Sequence, residues 1–195
     1  MFKIVKRKHA AGAGRWLAAR AMRRLLRRQD GSAAVEFALV AAPFLALMFA
    51  IIETAIVFFS GQALETAVAD SARLIMTGQA QTQGFDKGAF KNAVCGKIYG
   101  LFDCNKGVYV DVKKYTSFSS ISMSKPVDKD GNFVDDFGYD PGGPGCIVVV
   151  RLFYQWPVYV SLLGLNLSDM AGSKRLLIAT SAFRNEPYAT SGGCT

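Results

Sequence analysis

Fifteen acids, four cysteines and one histidine are the obvious candidates for chemistry in this chain, together with a Gly-Ser pair just ahead of a long apolar run. Nucleophilic catalysis by serine or cysteine usually needs a base beside the nucleophile. The one histidine, His9, sits in a basic N-terminal arm, on the far side of the apolar run from every cysteine. The tract Asp140-Pro141-Gly142-Gly143-Pro144-Gly145 reads as turn punctuation before a strand, not as a phosphate-binding loop. Asp128-Lys129-Asp130-Gly131-Asn132 hints at a calcium loop, which would need its glycine after the third ligand and a closing glutamate at position twelve. Gly131 comes too early and position twelve is Tyr139, so Asp130-Gly131 reads better as a hairpin turn. Clustered oxygens at Asp128, Asp130, Asp135, Asp136 and Asp140 keep calcium as the lesser reading. The expectation is therefore a protein with no catalytic set, no cofactor and no metal.

The cysteines are Cys95, Cys104, Cys146 and Cys194, all beyond the apolar run. An even count outside the cytoplasm favours two disulfides, and three connectivities are possible. The preferred one joins Cys95 to Cys104, closing a small loop after a helix, and Cys146 to Cys194, tying the C-terminal tail to a strand. Zinc is the rival, but the spacings are not C-x-x-C and His9 would lie across the membrane.

Charge decides that topology. Residues 1–30 hold ten Lys/Arg against one acid, Asp30, leaving 13 basic and 14 acidic residues in 31–195. The chain is a basic arm on a nearly neutral body. A nucleic-acid-binding domain would put its charge on a folded face with aromatics among it. Here the charge stops where Phe37–Phe59 (FALVAAPFLALMFAIIETAIVFF) begins, so no nucleic acid is expected. These 23 residues make a helix of about 34 Å, enough to cross a hydrocarbon core of about 30 Å. Lys/Arg gather on the cytoplasmic side of such spans, which predicts residues 1–30 inside and 60–195 outside. A cleaved secretory signal fits poorly: the basic region and apolar run are too long, and Ala67-Val68-Ala69 lies well beyond them. Pro43, within the span, predicts a mild kink that membrane helices tolerate.

The junction reads Arg27-Arg28-Gln29-Asp30-Gly31-Ser32-Ala33-Ala34-Val35-Glu36-Phe37. A basic leader, a glycine, and a glutamate five residues later at the start of a span form a more specific pattern than any one of them. With GSAAVEFALVAAPFLALMFAIIE (residues 31–53) and the following LETAVADSARLIMTG (residues 64–78), the chain resembles the TadE-like family, minor pilin-like proteins of the tight-adherence (Tad, or Flp) pilus machinery. The resemblance spans residues 31–78, about a quarter of the chain. It implies a bacterial inner-membrane, single-pass pseudopilin with its C-terminal domain in the periplasm, possible incorporation into an extracellular pilus, and cleavage by a prepilin peptidase after Gly31. Ser32 would become the N-terminus, with Glu36 and Phe37 serving processing or assembly. Other pilin-like subunits and pilus platform proteins are the implied partners.

The acids bear on this independently. A carboxylate entering hydrocarbon costs several kcal/mol unless paired, and a neighbouring N-terminal ammonium would lower the cost at Glu36. The plainer account puts Glu36 among headgroups, favoured by the positive helix N-terminus. Glu53 lies 17 residues on, about 25 Å along the helix, where the outer interface is the favoured surrounding and a partner helix the other.

The elements expected to position these residues form an α+β fold: a long N-terminal transmembrane helix extending into a small exterior domain with an antiparallel sheet, as in pilins. The division is 1–31 leader, 32–78 transmembrane and extended helix, 79–195 exterior domain. Leu64, Val68, Ser71 and Ile75 repeat at helical spacing, and Gly78 suits a helix end. Gln79–Gly84 reads as a polar linker and Lys87–Phe102 as a second helix with Phe90, Val94, Ile98 and Leu101 on one face. Strands are expected at Gly107–Tyr115, Cys146–Trp156 (ended by Pro157) and Lys174–Arg184, with Phe118–Met123 pairing beside the first. Tyr159–Leu167 is apolar but too short to span, a loop or short helix packing or lying on the bilayer. The alternative to a processed pilin-like protein is an uncleaved single-pass envelope protein whose exterior domain binds a ligand or partner. The fate of the Gly31–Ser32 bond separates them.

Overall fold

The computed structural model describes residues 31–98, 100, 102–159, 166–189 and 194. The basic leader, Leu101 and most of the Tyr159–Leu167 segment lie outside the described residues. The chain divides into two units, one ending at Leu47 and one beginning at Met48.

Helix α1 runs Ser32–Met76, through Pro43 without a break. In the first unit its residues are exposed or half-exposed, with Phe37, Leu39, Val40, Phe44 and Leu47 among the exposed ones. From Ala50 onward one stripe is buried: Ala50, Glu53, Val57, Ser60, Leu64, Ala67, Val68, Ser71, Ala72 and Ile75. The spacing alternates three and four, which keeps one face of a helix against a core. The helix stops where Gly78 takes φ +77, a left-handed conformation that suits glycine. A Cβ there would come within 2.5 Å of the Tyr188 ring, so close packing demands glycine as well. The expected linker contains one helical turn, α2, Gln79–Thr82.

Helix α3 is Lys87–Cys95, capped by the Asp86 carboxylate, which accepts from Ala89 N at 2.6 Å. It ends well before Phe102, where the sequence extended it. The disulfide explains the difference. A helix continued from Cys95 to Cys104 would separate their Cα atoms by about 13.5 Å, whereas the bonded pair stands 5.7 Å apart. The chain must therefore turn back, and a short helix α4, Cys104–Gly107, follows.

Strands β1 (Val108–Tyr115), β2 (Ile147–Pro157) and β3 (Lys174–Arg184) form an antiparallel sheet in the order β1-β2-β3. Proline ends β2, where its missing N–H costs no interior ladder bond. The α+β architecture is the one expected. The sheet face bearing Val108, Val110, Val112, Val148, Val150, Leu152, Leu177 and Ala179 shares one core with Val57, Leu64, Val68 and Ile75 of α1 and with Phe90 and Val94 of α3. Each large apolar side chain so buried contributes about 1.5–3 kcal/mol.

The other face carries a smaller cluster of Phe153, Met170 and Leu176, bordered by Tyr109, Val127, Phe133 and Phe137. The loop over it contains the expected Asp130-Gly131 hairpin turn, with Val127 bridged to Phe133. Phe118–Met123 is not a strand. Phe118–Ser120 forms a 3-10 turn instead. The Ser120 hydroxyl donates to Ser117 O at 2.8 Å, and Ser117 and Ser119 hydroxyls pair at 3.0 Å. Serines that bond the local chain this way compete with a sheet ladder.

Candidate processing and assembly site

At the junction, α1 begins immediately after Gly31. A Cβ added to Gly31 would meet nothing within 4 Å, and its φ is not positive. Among the described residues, neither packing nor backbone geometry asks for glycine there. Ser32 Oγ donates to Glu36 Oε1 at 2.8 Å, one helical turn away. The Glu36 carboxylate is thus drawn back towards residue 32. Glu36 and Phe37 are both exposed. Exposed and half-exposed residues occupy every side of α1 from Ser32 to Phe49. Among the described residues, α1 is the helix long and apolar enough to cross a membrane.

Glu53 behaves differently from Glu36. It is only 8% exposed, and its Oε1 accepts the backbone N–H of Tyr159 at 2.5 Å. A helix carboxylate therefore holds the chain just past the end of β2. The sequence weighed the outer interface and a partner helix for Glu53, but not a contact within its own chain. A sequence signal for its burial existed: the stripe of Leu64, Val68, Ser71 and Ile75, continued backwards through Ser60 and Val57, falls on Glu53.

The cysteines are joined as Cys95–Cys104 and Cys146–Cys194, the pairs preferred from the sequence. The second holds the tail at Cys194 to the residue that leads into β2. Among the described residues no cluster of His, Cys, Asp or Glu is arranged to hold a metal ion. The oxygens of Asp128, a candidate calcium ligand, serve its own turn. They accept from Asn132 N at 2.7 Å, Asp130 N at 2.9 Å and Asn132 Nδ2 at 3.1 Å. The Asn132 backbone N–H, and then its side chain, hold the Asp128 carboxyl below its usual range.

One polar pair went unseen in the sequence. Asp111 and Arg151 lie opposite each other in the β1–β2 register, 1% and 8% exposed. Asp111 Oδ2 accepts from Arg151 Nε at 3.0 Å and Nη2 at 2.5 Å, and Oδ1 accepts from Gly138 N at 3.1 Å. Arg151 Nη1 donates to Ser124 O at 3.0 Å. The pair thus pins both ends of the 124–138 loop to the sheet. A lone arginine in CIVVVRLFYQW, with one acid in the facing strand VYVDVKKY, was the available signal.

Residues 31–73 match the model of a family described as TadE-like protein. The match opens on Gly31 and takes in Glu36, the apolar run and most of the packed stripe. It bears out the resemblance read from this segment. No curated protein and no solved structure matches the chain.

Proposed function

We propose that this chain is a minor pilin-like (pseudopilin) protein of a tight-adherence pilus system. A prepilin peptidase would cut it after Gly31, releasing the basic leader. The observation that carries the reading is where the TadE-like match falls: it opens on Gly31, behind the basic leader, and takes in Glu36 and the exposed apolar start of α1. The geometry supports it in two further ways. Among the described residues, nothing lies within 4 Å of a Cβ added at Gly31, so none of them calls for glycine there. The Glu36 carboxylate already bonds residue 32, so a free ammonium on Ser32 would sit one turn from a counter-charge.

The mature N-terminus would stay at the inner membrane, leader side cytoplasmic, with the α+β domain in the periplasm. Residues 32–49 offer apolar surface on all sides for helix-to-helix association with other pilin-like subunits and platform proteins. In that setting Glu36 would pair with a neighbour's ammonium, since an unpaired carboxylate in hydrocarbon costs several kcal/mol. Such pairing selects register. The task is structural, starting or stabilising the pilus, with no catalysis.

The test is the intact mass and N-terminal sequence of the protein from membranes of its own host. A mature chain starting at Ser32 is the expected result. A chain still starting at Met1, in cells with an active prepilin peptidase, would overturn the processing and favour an uncleaved envelope protein.

A further inference from the structure

Counting along α1 raises a question of depth. A helix needs about 20 residues to cross a hydrocarbon core of about 30 Å. Starting at Phe37, the first residue past Glu36, that count ends near Ile56. Starting at Ser32, it ends near Ile51. Yet α1 is already covered on one side at Ala50, Glu53 and Val57. Wherever the count starts, the outer boundary of the bilayer falls where the domain has begun to pack on the helix. What covers Glu53 there includes the backbone of Tyr159.

The chemistry of this contact suits that depth. A carboxylate and a backbone N–H are each costly at the edge of hydrocarbon unless paired, and here they pair with each other. Val158 N is likewise satisfied by Ser173 O at 2.9 Å. The side chain of Tyr159 is 82% exposed, and tyrosine favours the layer between acyl chains and headgroups. Ile52 and Ile56, which flank Glu53 along the helix, and Phe58 and Phe59 beyond them are exposed as well. In water such a concentration of apolar side chains would be unfavourable; at the boundary of a leaflet it is not.

We propose that Val158–Tyr159 is a second membrane contact, seated at the acyl–headgroup boundary of the outer leaflet and held there by the Glu53–Tyr159 bond. The occupant of this surface is phospholipid. The inference rests on the reading of α1 as a membrane-crossing helix. Glu53 then links the strand exit to that helix and sets the depth at which the domain stands.

Depth-dependent fluorescence quenching tests it on the full chain in phosphatidylethanolamine–phosphatidylglycerol vesicles. The background is Trp16→Phe, Trp156→Phe. A reporter indole is placed by Tyr159→Trp in one protein and by Phe44→Trp in another. The reporter at 44 should lose intensity most to bromine deep in the acyl chains. The reporter at 159 should lose most to bromine near the headgroups and little to aqueous iodide. If 44 responds to bromine while 159 responds only to iodide, the contact is refuted and the crossing helix stands. If neither responds to bromine, both fall together. A reporter at 159 shielded from bromine and iodide alike would mean that protein, not lipid, covers it, and would overturn the proposal. Within the 159 protein, Glu53→Gln keeps an acceptor and should keep the shallow profile, and Glu53→Leu should lose it. An unchanged profile in Glu53→Leu would remove Glu53 from the account.

Discussion

Replacing Asp111 by alanine tests how the sheet holds its covering loop. The substitution leaves the Arg151 guanidinium, on a residue only 8% exposed, with Ser124 O and the ring of Phe153 5.3 Å away among its remaining contacts. It also takes the acceptor from Gly138 N. Breaking a buried ion pair by removing one partner costs about 3–5 kcal/mol, because the surviving charge stays desolvated. Taking about 4 kcal/mol, the loss is a large share of the 5–15 kcal/mol typical of a domain. With a urea dependence of about 2 kcal/mol per molar, the midpoint should fall by about 2 M. The assay is urea unfolding of the full chain in micelles, followed by the fluorescence of Trp156 in a Trp16→Phe background. Trp156 reports because it packs against Phe102 and Tyr154. A double variant, Asp111→Leu with Arg151→Met, removes both charges and should recover most of the loss. A shift below about 0.5 M in the single variant, or a double variant no better than the single, would refute the reasoning.

Four further outcomes are expected. Gly31→Leu should block conversion to the shorter mature form on immunoblots and leave unfolding of the α+β domain unchanged, since a Cβ at 31 meets nothing within 4 Å; Glu36→Ala should impair piliation more than folding, and normal piliation would count strongly against its assembly role. Removing Cys146–Cys194, which closes a separation of 48 residues, should cost about 4 kcal/mol against about 3 for Cys95–Cys104 with its separation of 9, as read from paired cysteine-to-alanine variants by urea unfolding. Burial pushes the Tyr139 phenol from its ordinary 10.0 up to about 12, with Asp86 adding to the effect. The unfolded chain then gives up this proton first, so stability should fall as pH rises from about 10 to about 12, and Tyr139→Phe should remove that part of the decline in alkaline unfolding curves.

Local signals carried much of this structure. The long helix was legible because its apolar run and its Leu64–Ile75 stripe share one uninterrupted helical pattern up to Gly78. β1 and β3 were legible because alternation and turn residues bound them on both sides. The junction at Gly31 was readable as a pattern of types: basic leader, small pair, glutamate, apolar run. Each of these depends on neighbours within a few residues.

What the sequence hid depends on partners far along the chain. Glu53 and Tyr159 are 106 residues apart, and Asp111 and Arg151 are 40 apart. Composition alone marks such acids as exposed, because burial of a charge is ruled out until its partner is in place. The second helix went wrong for the same reason. Its apolar spacing ran on past Cys95, but the bond to Cys104 forced the chain to reverse. Hydrophobic period is a property of the local chain and could be read by itself. Which polar groups are desolvated together, and so how deep on α1 the domain begins, was decided only when the sheet closed over the helix.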